Sequence, residues 1–169
     1  MSVAALRPSF VGDAQFRQMT EDDIPEMVEL GVRFFNESGL PEFATVSPDN
    51  LKIALTDGLV RPSIVNLLFV VDGVIEGFMI YQMEVSYTVE PMALLSLFYV
   101  TPEYRRGPAG RILLETAISM AKASGCCAFY AGSMAEMGGT SNSLGNMYRK
   151  FGFKDLGFWG RLSLGNKET

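Results

Sequence analysis

Leu94-Leu95-Ser96-Leu97-Phe98-Tyr99-Val100-Thr101-Pro102-Glu103-Tyr104-Arg105-Arg106-Gly107-Pro108-Ala109-Gly110-Arg111-Ile112-Leu113-Leu114 changes character twice along its length. Leu94 to Val100 is an apolar run of strand length. Pro102 has no amide hydrogen to give a ladder, so the strand is expected to stop near Val100. A basic turn follows, with Arg105, Arg106, Gly107 and Gly110. Leu113, Ala117, Met120 and Ala121 then recur at helical spacing. A strand, a glycine-rich basic turn and a helix start together make an anion site. Glycine lets the backbone approach a ligand, and the first helix amides have no internal partner. The helix dipole adds to the attraction for a phosphate.

The glycine spacing narrows the choice. Neither the dinucleotide pattern G-x-G-x-x-G nor the Walker pattern G-x-x-x-x-G-K-[ST] is present in the turn. The turn resembles motif A of the GNAT superfamily of N-acetyltransferases, [Q/R]-x-x-G-x-[G/A]. Arg105 matches its first position and Gly110 its last, while Pro108 stands where the first glycine belongs. Proline there removes one amide donor from the expected pyrophosphate site.

The chain of 169 residues suits a single domain, with an N-terminal arm at 1–14 and a short tail at 165–169. Its 48% hydrophobic and 20% charged residues are an ordinary globular balance. No apolar run reaches the ~20 residues of a membrane helix, and the start carries no signal-peptide core. A cytoplasmic chain is therefore expected, without a membrane partner. A formal charge of −5 argues against nucleic acid as the main partner. The chain has no histidine, which excludes Ser-His-Asp and Cys-His catalysis and zinc held through histidine. Cys126 and Cys127 are adjacent, so no long-range disulfide within the chain and no all-cysteine metal site is expected.

Outward from the central stretch, Phe16–Met19 reads as a short strand. Thr20-Glu21-Asp22-Asp23 opens a helix with a cap and first-turn acids, which runs toward Phe35. Ser47-Pro48-Asp49 opens a shorter helix expected to stop near Gly58. Asp72-Gly73 between apolar runs at Asn66–Val71 and Val74–Glu84 is a hairpin signal. After the central strand come a helix at Ala109–Ala123, a strand at Cys127–Ala131 and a loop at Gly132–Thr140. A helix at Ser141–Phe151 follows, then strands at Phe153–Leu156 and Phe158–Leu164. Antiparallel hairpins combined with a parallel crossover give an α+β class with a central mixed sheet flanked by helices. This is also the element order of the GNAT fold, and the resemblance covers residues 15–164.

A second stretch supports it. Tyr148, Gly152 and Phe153 match motif B of the same family, Y-x-x-x-G-F. The family's asparagine seven residues before the tyrosine is Ser141 here, with Asn142 one place away. The resemblance implies transfer of an acetyl group from acetyl-CoA to a primary amine of a small molecule or protein, by direct attack and without a metal. It implies that the Phe98 amide bonds the thioester oxygen and that the main chain at Phe98, Tyr99 and Val100 holds the pantetheine arm. Arg105, Arg106, Gly107, Ala109, Gly110 and Arg111 would hold the pyrophosphate, with Asn142 nearby, and Tyr148 would protonate the departing thiolate. Glu84 and Ser96 stay open as general bases, and a packed serine or solvated glutamate is the plainer reading of each. Tyr148 likewise reads as a core tyrosine on its own. The other functional readings are a non-catalytic acyl-CoA-binding module on the same fold and a redox-responsive protein using Cys126 and Cys127. The acceptor and a homodimer are left open.

Overall fold

Seven of the eight residues from Ile64 to Val71 are buried, and the strand they form lies inside the sheet. Around it the computed structural model describes residues 13–38, 40–42, 44–85, 88–132 and 141–154. The expected arm lies outside them up to residue 12, as do the loop at 133–140 and the chain from residue 155. The strand expected at Phe158–Leu164, half of that at Phe153–Leu156 and the tail fall in this last part.

Five strands stand side by side in chain order: β1 (Ala14–Gln18), β2 (Ile64–Val71), β3 (Val74–Glu84), β4 (Met92–Val100) and β5 (Ala128–Tyr130). β1 to β4 are antiparallel neighbours, and β5 runs parallel to β4. The parallel pair needs a crossover, which α3 (Ala109–Ala123) supplies. The sheet is mixed and the class α+β, as the sequence order implies.

Helices cover both faces. α1 (Ile24–Glu37) and α2 (Pro48–Val60) lie on one, where Met27, Leu30 and Leu55 pack with Leu68, Val70, Phe78 and Tyr99. α3 and α4 (Ser141–Lys150) lie on the other, where Leu113, Leu114 and Tyr148 pack with Phe69, Met79, Tyr81 and Ala93. Each large apolar side chain buried this way contributes roughly 1.5–3 kcal/mol. Among the described residues no helix is long and apolar enough to cross a membrane.

Local sequence accounts for most boundaries. Ser47 caps α2 by accepting from the Asn50 amide at 3.2 Å, with Pro48 in the first turn. Asp72 and Gly73 take φ of 49° and 85°, the left-handed pair that a two-residue hairpin turn needs. Two expectations shift. A short 3-10 turn at Glu21–Asp23 precedes α1, so the α-helix proper starts at Ile24. α2 also continues past Gly58 to Val60. A Cβ on Gly58 would lie 3.3 Å from Asn66 Nδ2, so this glycine gives α2 room against β2 and does not end the helix.

The entry to α1 depends on Asp23. Its carboxylate accepts from both Arg17 terminal nitrogens at 2.7 Å, from the Thr20 amide at 2.7 Å and from the Thr20 hydroxyl at 2.9 Å. The Arg17 bonds are the main reason its carboxyl sits well below the ordinary range; burial opposes them and the Thr20 bonds add to them. A depressed folded value means stabilisation present above the unfolded value of about 4 and lost as pH falls below it. Asp23→Asn is expected to cost about 1.5–3 kcal/mol at pH 7, nearer the lower end because Arg17 is partly exposed. The gap to the parent should hold down to about pH 4 and then narrow progressively toward the depressed folded value, as urea titrations at pH 7, 4 and 2 would show. A gap independent of pH would mean that charge is not what Asp23 contributes.

Candidate functional site

β4 and β5 share only three residue pairs, Met92 to Leu94 against Ala128 to Tyr130. From Leu95 onward β4 is paired on its β3 side alone among the described residues. The register to β3 slips by one residue, since Ile80 faces Leu97 and Tyr81 faces Leu95, so Ser96 is the extra residue of a bulge. Past the bulge, the phase of the ladder is set by the Thr101 amide, which donates to the Glu76 carbonyl at 2.9 Å. Backbone groups alternate sides along a strand, so Tyr99 and Leu97 also address β3. Phe98 and Val100 therefore direct their amides and carbonyls toward the gap beside β4, where no strand pairs with it among the described residues.

The gap leads to the start of α3. Two tight turns carry the chain there: the Tyr104 amide bonds the Thr101 carbonyl, and the Gly107 amide bonds the Tyr104 carbonyl, both at 3.0 Å. Pro108 is the N-cap, with φ −79° and ψ −5°, and no side chain caps the helix. The first helical bond runs from the Ile112 amide to the Pro108 carbonyl at 3.0 Å. The amides of Ala109, Gly110 and Arg111 precede it and have no partner within the helix. The first turn of α3 contains no acid, whereas those of α1 and α2 contain Glu26 and Asp49. Of the amide row expected from Arg106 to Arg111, Gly107 is engaged and Pro108 has none.

Gly110 brings this terminus against β4. A Cβ there would stand 3.2 Å from Phe98 Cζ and 3.9 Å from Val100 Cγ2. Arg106 is exposed, and Arg111 pairs with Glu115 one turn on at 3.1 Å. Arg105 is turned the other way: its Nε donates to the Val100 carbonyl at 2.8 Å, and its guanidinium pairs with Glu37 and lies 5.2 Å over the Tyr99 ring. Glu37 also accepts from Tyr99 Oη at 2.9 Å and Arg33 Nε at 3.1 Å. Burial raises its pKa, but the bonds from Arg105, Tyr99 and Arg33 outweigh burial and leave it below the ordinary value. Burial and the bond to Glu37 push Tyr99 up to about 12.

On the α3/α4 face two buried hydroxyls, of Tyr148 and Tyr81, have no hydrogen-bond partner among the described residues. Burial pushes Tyr148 well above its ordinary value, and it pushes Tyr81 up to about 12 with a smaller contribution from Cys126. A row of rings connects them: Tyr81 to Phe129 at 5.4 Å, Phe129 to Phe153 at 6.2 Å and Phe153 to Tyr148 at 5.2 Å. Both phenols stay protonated at neutral pH and can donate a hydrogen bond.

The remaining candidates are scattered. Ser96 is exposed on the bulge. Glu84 ends β3, accepts from Gln82 Nε2 and faces Met92. At ~3.3 Å per residue that places it on the order of 20 Å along β4 from Phe98. Asn142 lies in the first turn of α4, and its side chain is outside the described atoms. Cys126 is half-buried and Cys127 exposed, both free thiols. Sequence reading missed Glu37 and Tyr81. Glu37 carried one signal, its place four residues after Arg33 in the last turn of a helix.

A family model for the acetyltransferase (GNAT) domain matches residues 65–155, more than half of the chain and the whole run from β2 to α4. The chain belongs to the GNAT acetyltransferase family. No curated protein sequence matches it. Among solved structures it resembles a Trypanosoma brucei acetyltransferase at TM-score 0.70 and 22% identity, covering 90% of this chain and 100% of that one. A predicted acetyltransferase with acetyl-CoA from Clostridium acetobutylicum matches at TM-score 0.72 and 18% identity, covering 90% and 97%. The aminoglycoside enzyme AAC(6')-Iy, in complex with a bisubstrate analogue of CoA, matches at 0.65 and 18%, covering 94% and 100%. At such identities these structures show a shared GNAT fold.

The contact between Gly110 and Phe98 can be tested by stability alone. Gly110→Val is expected to cost about 1–3 kcal/mol by pressing on the ring. In a Phe98→Ala background the same change should cost much less, because the atom it meets is gone. Urea melts of the four chains measure this, and equal costs in both backgrounds would show that the helix start does not bear on Phe98.

Proposed function

We propose that this GNAT domain, residues 15–164, is an N-acetyltransferase that moves an acetyl group from acetyl-CoA to a primary amine. One observation carries the reading: the edge of β4 at Phe98 and Val100, unpaired on its β5 side among the described residues, leads through two tight turns to the uncapped start of α3. The donor's chemistry fits these residues. Its pantetheine arm carries amides that can add along a strand edge, where Phe98 offers its amide and carbonyl and Val100, whose carbonyl holds Arg105, offers its amide. Its pyrophosphate suits the amides of Ala109, Gly110 and Arg111 and the exposed Arg106. The row is one donor poorer at Pro108, and Gly107 is engaged with Tyr104.

The Phe98 amide would bond the thioester oxygen, where negative charge grows as the amine nitrogen attacks the carbonyl carbon. The carbon–sulfur bond then breaks, the new amide nitrogen loses one proton, and the sulfur gains one. Tyr148 would supply the sulfur's proton and recover one from solvent. Its buried hydroxyl without a partner among the described residues supports this role. Burial keeps its proton in place at neutral pH, so the hydroxyl can donate to the sulfur as thiolate charge develops. Ser96 lies on the bulge beside the gap, whereas Glu84 is too far along the strand to take the amine's proton directly. A route to solvent through water therefore serves better than a side-chain base. The net charge of −5 and the aminoglycoside enzymes among the structural neighbours support a cationic amine acceptor.

A second reading, acyl-CoA binding without turnover, rests on the departures from the family's motifs at Pro108 and at Ser141, where the family's asparagine is missing. Two measurements separate the readings. Acetyl-CoA at about a hundred times its dissociation constant should raise stability by roughly 2.7 kcal/mol, seen as a shift of the melt. No shift at millimolar ligand would remove both readings. Tyr148→Phe should keep that shift and lose about 10²–10⁴-fold in turnover with the best amine of a panel. Near-parental turnover, with chemistry rate-limiting, would take Tyr148 out of the mechanism. Binding with no turnover on any amine would favour the second reading.

A further inference from the structure

Arg105 occupies the first position of the turn motif, yet its side chain is bound on the α1 face. One guanidinium makes three contacts: to the Val100 carbonyl, to the Glu37 carboxylate and over the ring of Tyr99. Glu37 ends α1, and it also holds the Tyr99 hydroxyl. The last two residues of β4 are therefore tied from both sides. Tyr99 is bonded through its backbone to β3 and through its hydroxyl to α1, and Val100 is bonded through its carbonyl to Arg105. A second tie, Arg33 to Glu103 at 3.5 Å, joins α1 to the same turn.

We infer that Glu37 and Arg105 are a positioning pair. They hold the end of β4 in the shape the acyl donor meets, and Arg105 is not a phosphate ligand. The inference rests on the reading that acetyl-CoA lies along β4. Its physical basis is the planar fork of arginine, which reaches the Val100 carbonyl and Glu37 together; the single ammonium of lysine does not. With its carbonyl occupied, Val100 offers the gap its amide alone. The bridge also links α1 to the strand along which the donor is read to lie.

The two roles open to Arg105 give opposite signs in one experiment, the affinity of the full chain for acetyl-CoA in Glu37→Gln. A positioning pair predicts binding weaker by about tenfold, with the salt dependence of binding unchanged. Arg105→Lys should weaken it in the same direction, and the double variant should lose less than the product of the two single losses. A phosphate-binding Arg105 predicts the reverse, because Glu37→Gln removes a negative charge and frees the guanidinium. Tighter binding in Glu37→Gln therefore overturns the inference. So does an unchanged affinity with a lowered melting temperature, which would make the pair a stabilising bridge and nothing more. A parent chain that does not bind acetyl-CoA fails the functional reading itself and takes this inference with it.

Discussion

Among the described residues β4 and β5 pair over three residues only, and the rest of the site follows from that short ladder. A parallel pair would otherwise continue its ladder and satisfy its own amides. Here the pairing ends at Leu94, two residues before the bulge at Ser96. Unpaired strand edges are a liability in a folded protein, because their amides and carbonyls accept another strand. In this chain the edge lies beside helix α3, whose start is packed against it. The crossover that makes β5 parallel also delivers the α3 N-terminus to the mouth of the gap. The extended edge and the helix terminus are thus products of one connection.

What would suit that terminus to an anion is a set of small residues and a lack of competing acids. Gly110 lets the helix start lie against the Phe98 ring. Ala109 is fully buried. The first turn carries no acid that would compete for the free amides. Pro108 gives up a donor but sets a backbone angle suited to the helix start. Deeper on the same face, Tyr148 and Tyr81 keep their protons because the surroundings exclude water. A hydroxyl left without a partner in such a place costs stability, and among the described residues these two have none.

The opposite face is organised by charge. Glu37 gathers Arg33, Arg105 and Tyr99 at the end of α1. Exposed ion pairs contribute little, but this carboxylate is partly shielded and its partners come from separate elements. Its effect is to fix where α1 meets the end of β4.

Local physics was legible in the sequence. The Asp72-Gly73 turn, the Ser47-Pro48 cap, the helix Ala109–Ala123 and the strand–turn–helix around Gly110 were read within a residue or two. Each is decided by neighbours in the chain: a permitted φ, a cap, an apolar period, a proline that ends a ladder. The family was legible too, through Arg105, Gly110, Tyr148, Gly152 and Phe153. The tertiary structure alone decided the bulge at Ser96, the turn of Arg105 toward Glu37 across 68 positions, and the distance of Glu84 from Phe98. It also decided that Gly58 makes room for β2 within a continuing helix. These depend on which strand pairs with which, in what register, and on which distant charge stands within reach. No local pattern encodes such contacts, because they exist only once the sheet has closed on its helices.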